Sequence, residues 1–205
     1  MGSRARREKE KDEMRQAILK AATKIMVEEG YEKLTMRKIA GIIDYTPTTI
    51  YNYYNDKAQI VDDISRQIYK KIVSDVKESF EENMANPIDK QLAAAFKAFL
   101  NSITDNVEMG RAVIKSGTKA IFGPEKEAVA QEDNGILLLH NLLLKGQQQS
   151  VLRKLDENMS WMLITALIGF SINAIENQLY LNKNWPDMVN TYTELLVNGL
   201  LPNKD

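Results

Sequence analysis

The stretch "LTMRKIAGIIDYTPTTIYNYYNDK", residues 34 to 57, constrains the fold more than any other, because two helix-start signals are crowded into it. Thr35 can N-cap one helix, with Leu34 before it and Ile39 after it at the spacing of a hydrophobic staple. Thr46 can cap the next, followed by Pro47 at the first helical position, where a missing N–H costs nothing. Tyr45 and Ile50 repeat the staple spacing. Only Asp44 and Tyr45 lie between the last apolar residue of one helix and the cap of the next, which predicts a tight helix-turn-helix. Asp44 falls where such a turn needs a left-handed backbone, and Asp tolerates that conformation better than most residues.

Helical spacing continues on both sides. Met14, Ile18, Ala21, Ala22, Ile25 and Met26 form a stripe that Gly30 can end from the C′ position. Asp56 starts a fourth helix, whose Ile60, Ile64, Ile68, Ile72 and Val76 recur every four residues and which should run to about Phe80. "NPIDKQLAAAFKAFL" predicts a helix capped by Asn86 with Pro87 at its first position. Further helices are expected over 126–148, 157–181 and 186–200, and alternating strand patterns are scarce. The expected fold is all-α, with about nine helices. A three-helix head over residues 1–57 is joined by a connector helix to a bundle, the second domain spanning 58–205.

On a helix from Pro47 to Asn55, Ile50 and Tyr54 share one face, with Thr49 beside it. Pro47, Thr48, Tyr51, Asn52 and Asn55 point elsewhere. Exposed Thr, Tyr and Asn form helices less well than Glu, Lys or Ala. Against DNA they are useful: hydroxyls donate to phosphate, and the threonine methyl and proline ring can touch thymine methyls. Lys57 stands in the first turn of the fourth helix, where the macrodipole disfavours a cation and a bound phosphate would offset this. Charge points the same way, since residues 1–57 carry 12 Lys/Arg against 9 Asp/Glu and the remainder 15 against 19. A head that docks protein is the alternative from a different class, and salt dependence separates the two.

The segment "ILKAATKIMVEEGYEKLTMRKIAGIIDYTPTTIYNYYNDKAQI" resembles the N-terminal domain of TetR-family transcriptional regulators over roughly residues 14 to 64. The matching features are the "IL.AA" helix, the "GY...T.R.IA" link with its second helix, and the "T.YNYY..K" third helix. The resemblance implies phosphate contacts from Thr35, Tyr51, Tyr53 and Lys57. It implies base or near-base contacts from Arg37, Thr46, Pro47, Thr48 and Thr49, with Arg37 able to bond guanine O6 and N7 together. Two departures stand out: Ile43-Asp44 replaces the family's usual Ala-Gly before the recognition helix, and Tyr54 replaces its usual Phe.

For the second domain the resemblance implies a ligand pocket and a dimer made by the last two long helices. Trp161 to Ile172 is apolar almost all round, and such a helix wants partners on every side. Leu167, Phe170, Ala174 and Leu195 are the candidate interface residues. Phe96, Phe99, Met109, Phe122, His140, Trp161 and Met162 are the candidate pocket residues, each weighed against an ordinary core role. The expected partners are therefore double-stranded DNA, a second copy of the chain and a small, largely apolar effector. The expected role is a repressor on a pseudo-palindromic operator.

Enzyme readings find little support. "GTKAIFG" lacks the ending of a phosphate loop, and paired carboxylates such as Glu28/Glu29 and Glu81/Glu82 read as solvated faces. His140 is the sole histidine and there is no cysteine, so no metal or other cofactor is expected. The absence of cysteine suits a cytoplasmic location. A polar first thirteen residues shows no secretory signal. The apolar run of Trp161 to Ile172 falls short of the roughly 20 residues that a membrane span needs.

Overall fold

The computed structural model of the protein describes residues 3–108, 110 and 135–202. Among these residues eight α-helices occur: α1 Ser3–Glu29, α2 Met36–Ile42, α3 Pro47–Tyr51, α4 Lys57–Glu82, α5 Ile88–Asp105, α6 Gly135–Gln148, α7 Met159–Glu176 and α8 Trp185–Asn198. Short 3-10 turns cover Tyr31–Lys33 and Leu179–Leu181. The chain has the all-α fold anticipated above, with an N-terminal helix-turn-helix. It divides into two compact units within α4, one reaching Ile68 and the other starting at Tyr69. The expected boundary at residue 57 lies at the first residue of α4.

In the first unit, α1 buries Ile18, Leu19, Ala21, Ala22, Ile25 and Met26. Also buried in this unit are Leu34, Met36, Ile39 and Ala40 in and just before α2, Ile50 of α3 and Tyr54 beyond it, and Ile60, Val61 and Ile64 of α4. Local sequence sets the helix ends. Gly30 takes φ 91°, which any other residue would adopt only under strain, and turns the chain out of α1. Thr35 Oγ1 accepts a hydrogen bond from Lys38 N at 3.2 Å and caps α2. Leu34 and Ile39 are both buried, as a staple requires. Tyr45 is not: it is 51% exposed, so the second staple pairing does not close over Ile50.

The second unit is built on α5, which packs against α6, α7 and α8. Ile88, Leu92, Phe96 and Leu100 of α5 meet Leu139, Leu142 and Leu143 of α6, Leu163 and Leu167 of α7, and Val189 and Val197 of α8. Gly146 permits the close approach of α6, since a Cβ there would lie 2.9 Å from Ile88 Cγ2 and 2.5 Å from Leu152 Cδ1. The start of α5 departs from expectation. Its N-cap is Pro87, with Ile88 the first helical residue. Asn86 instead bonds Asn83 Oδ1 at 2.9 Å and offers its carbonyl to Gln91 Nε2 at 2.6 Å.

Helix α7 corrects the length expected for the apolar segment. It spans 18 residues at mean hydropathy 1.4, long and apolar enough by length and composition to cross a membrane, with 39% of it buried in its own chain. The helix continues past the apolar run on both sides, through Met159 and Ser160 before it and Asn173 to Glu176 after it.

Candidate nucleic-acid interface

The helix-turn-helix is made by α2 and α3, which pack on each other. Asp44 takes φ 57° between them, the left-handed conformation its position called for. Tyr45 N then bonds Ala40 O at 2.9 Å, closing the turn. Thr46 Oγ1 accepts from Thr49 N at 3.3 Å, and its hydroxyl also meets Thr49 Oγ1 at 3.0 Å. Pro47 follows at the first helical position. α3 is only five residues long, so these capping bonds make up much of what holds it.

The candidate contact residues fall into three groups. Arg37, Thr46, Pro47, Thr48 and Tyr51 are exposed, as are Asn52 and Asn55. Thr35 is exposed too, and because its oxygen accepts the capping bond, its own O–H is left to donate outward. Thr49 and Tyr53 are half-buried. The Thr46–Thr49 pairing uses one hydroxyl proton of the two, so only one of these residues can donate to DNA.

Lys57 is the first residue of α4, where the dipole argument puts it, but it also has contacts of its own. Its ammonium lies 4.1 Å from the centroid of the Tyr31 ring and 3.4 Å from the Tyr31 carbonyl oxygen. The aromatic face and the carbonyl both offset the unfavourable dipole, so a phosphate is not needed to make the position tolerable. Lys57 remains half-buried and cationic at the N-terminus of α4. Lys38, beside Arg37, pairs with Glu29. Sequence reading missed Ile42 and Tyr45, which are 46% and 51% exposed at this surface. Hydrophobicity predicts burial for both, so composition gave no signal for them.

The candidate pocket and interface residues distribute differently from expectation. Met109 and Phe122 lie outside the described residues. Phe96 is buried in the core and Phe99 packs against it. His140 Nδ1 lies 3.4 Å from Ser160 Oγ. Trp161 and Met162, at 46% and 60% exposed, stand on the surface and do not join Phe96 in an enclosed cavity. Leu167 and Ala174 are corrected as interface residues: they are 2% and 0% exposed and pack into their own chain's core. The outward face of α7 carries Trp161, Met162, Thr165, Gly169 and Asn173, with Ala166 half-buried beside them. Phe170 stacks on Tyr192 at 4.1 Å and on Trp185 at 5.6 Å. With Leu195, which is 67% exposed, Phe170 and Tyr192 line an open groove between α7 and α8. Tyr192 also donates to Ala166 O at 2.8 Å, fixing α8 on α7, and burial raises the pKa of its phenol. Among the described residues no His, Asp and Glu cluster could hold a metal ion.

The family described as "Bacterial regulatory proteins, tetR family" matches residues 18–64, the region that holds α2, α3 and the first turns of α4. Among solved structures, the chain is similar to the fatty acid degradation regulator FadR from Bacillus halodurans. The two are 18% identical with TM-score 0.73, over 91% of this chain and 95% of that one. It is also similar to a TetR family transcription regulator from Marinobacter aquaeolei, 16% identical with TM-score 0.69, over 97% and 100%. A third is the TetR family transcriptional regulator PfmR from Thermus thermophilus, 21% identical with TM-score 0.66, over 91% and 96%. These likenesses concern the whole fold, whereas the family match concerns the head. No curated protein sequence matches the chain.

Proposed function

We propose that the chain is a TetR-family transcriptional regulator, a repressor released from its operator by a small effector, because its head matches that family over residues 18–64 and its fold is shared with such regulators. The family consists of DNA-binding regulators rather than enzymes, and membership implies DNA binding and dimerisation. The observation that carries the reading is the capped recognition helix. Thr46 and Pro47 start α3, and Pro47, Thr48, Tyr51 and Asn52 are left exposed around it. Residues 1–57 act as the DNA-binding domain and 58–205 as the effector-binding and dimerisation domain. Thr35, Tyr51, Tyr53 and Lys57 hold phosphates. Arg37, Pro47, Thr48 and one of Thr46 and Thr49 reach the base edges.

The dimer uses the outward face of α7 with α8. Met162, Ala166, Gly169 and Leu195 supply a surface that is apolar or small, which suits close helix packing against a second copy. Gly169 has no positive φ, and a Cβ there would meet nothing within 4 Å of its own chain. A helix-interior glycine costs about 1 kcal/mol relative to alanine, so close approach of a partner supplies a reason for it. Covering this face also accounts for the apolar surface of α7 without a membrane, in keeping with a cytoplasmic regulator. Two heads carried by one dimer fit a pseudo-palindrome with half-sites about 34 Å apart or a multiple of that.

The effector is small and largely apolar, matched to a second domain rich in Leu, Ile and Phe. A structural neighbour named for control of fatty acid degradation is in keeping with that class. α4 runs without a break from Lys57 to Glu82 and so has residues in both compact units, which makes it the element through which an effector acts on the head. Selection from a random duplex pool tests the reading. It should return a two-half-site sequence whose affinity falls linearly on a logarithmic salt scale. Trp161 and Trp185 then report effector binding, and the fluorescence change should track loss of operator affinity over one concentration range. Failure to enrich any sequence, with binding indifferent to salt, would leave the protein-docking reading in its place.

A further inference from the structure

Tyr54 stands where the resemblance leads one to expect Phe, and its added hydroxyl is not idle. The side chain is 2% exposed, and the hydroxyl donates to Asp63 Oδ2 at 3.0 Å. Tyr54 closes the recognition segment, since Tyr53 N and Tyr54 N bond Ile50 O at 2.9 and 3.0 Å. Asp63 lies in the second turn of α4. The bond therefore reaches from three residues past the end of α3 to the flank of the next helix, nine residues along the chain. Arg66 lies 3.7 Å from the Asp63 carboxylate. Burial first, then the Asp63 charge and hydrogen bond, push the Tyr54 phenol far above its usual range, against a smaller opposing effect of Arg15. The phenol thus remains a donor throughout the neutral range.

The other hydrogen bonds that join the end of the recognition segment to the start of α4 are short in range. Asn55 N bonds Gln59 Oε1 at 2.9 Å, and Gln59 N bonds Asp56 Oδ1 at 2.9 Å, which cap α4 without gripping α3. Apolar packing of Ile50 holds α3 down, but packing alone is non-directional. A hydrogen bond to a carboxylate prefers one distance and one angle.

We propose that Tyr54 is a positioning residue, whose bond to Asp63 fixes the angle of the recognition helix α3 on α4 and so sets discrimination between operator and random duplex. It touches no DNA. The proposal rests on the DNA-binding reading of the head. Phosphate contacts tolerate a small rotation of α3, because they are electrostatic and independent of sequence. Bidentate and methyl contacts to base edges do not. A loosened α3 should therefore keep general affinity and lose selectivity.

The test measures affinity for the selected operator and for random duplex at one salt concentration, well below the unfolding temperature of each variant. Tyr54→Phe should lower the operator-to-random ratio about tenfold, the scale of one charge-assisted hydrogen bond, with random-duplex affinity held within about twofold. Asp63→Asn keeps an acceptor oxygen and should retain more of the ratio than Asp63→Ala. Tyr54→Phe added to Asp63→Ala should lower it no further. A merely stabilising role would move the unfolding midpoint of Tyr54→Phe and leave the ratio alone, and that result would overturn the proposal. So would equal losses on operator and random duplex. A wild-type chain that binds no duplex would overturn the DNA-binding reading itself, and the proposal with it; one that binds duplexes in a salt-dependent way but without preference would overturn the proposal alone.

Discussion

Helix α3 turns Thr48, Tyr51 and Pro47 to solvent and hides Ile50, whereas α7 hides Ser160 and Ser171 and shows Trp161 and Met162. α3 follows the ordinary rule that polar residues face water. α7 reverses it at these positions, and hydrogen bonding supplies the reason. Ser171 Oγ donates to Leu167 O at 2.9 Å within the same helix, and Ser160 Oγ meets His140 Nδ1. A serine satisfied in this way can sit in a core at small cost. The inward face of α7 is then filled by small hydroxyls with Leu163, Leu167 and Ala174, and the bulky Trp161 and Met162 are displaced outward. Under the proposed function the two helices would meet different partners: hydroxyls and amides for a polyanion, large apolar groups with a glycine for a second copy.

The sharpest way to break this comparison is to exchange the two sides of α7. Leu167→Ala should cost about 2–5 kcal/mol in urea unfolding at fixed protein concentration, because it empties a buried site. Met162→Asp should leave helicity intact and shift sedimentation from dimer to monomer at micromolar concentration. If Met162→Asp still sediments as a dimer, the outward face of α7 is not the interface.

On the α3 side the effects are smaller. Arg37→Ala should relax preference at one base position, by about 1–3 kcal/mol there, read by repeating the selection with the variant. Retention of the full consensus would remove Arg37 from the base contacts. The smallest effect belongs to Lys57. Lys57→Ala should reduce the slope of log affinity against log salt by about one per head, as for one lost phosphate contact. An unchanged slope would mean that its ammonium is wholly engaged by the Tyr31 ring and carbonyl.

Much of the head was legible because its signals are local. The Thr35 and Thr46 caps each reach three residues along the chain, and the Asp44 conformation belongs to a single residue. Distant contacts are not legible in this way: the dipole argument offers Lys57 a phosphate, while the Tyr31 ring and carbonyl that it also meets stand 26 residues away. Tyr45 has the spacing of a staple, yet its ring is left half in solvent.

Sequence by itself determined that this chain is helical, where the caps and turn of its head lie, and that α3 carries hydroxyls and amides outside its apolar face. Each of these depends on backbone conformation and on hydrogen bonds within a few residues, which residue order specifies directly. Only the tertiary structure decided which side of α7 faces inward, that Leu167 and Ala174 belong to the core, and that Tyr54 is bonded to Asp63. An apolar helix with little polar asymmetry has no preferred side of its own. Its rotation is set by the shapes and hydrogen-bonding groups of the α5, α6 and α8 side chains it packs among.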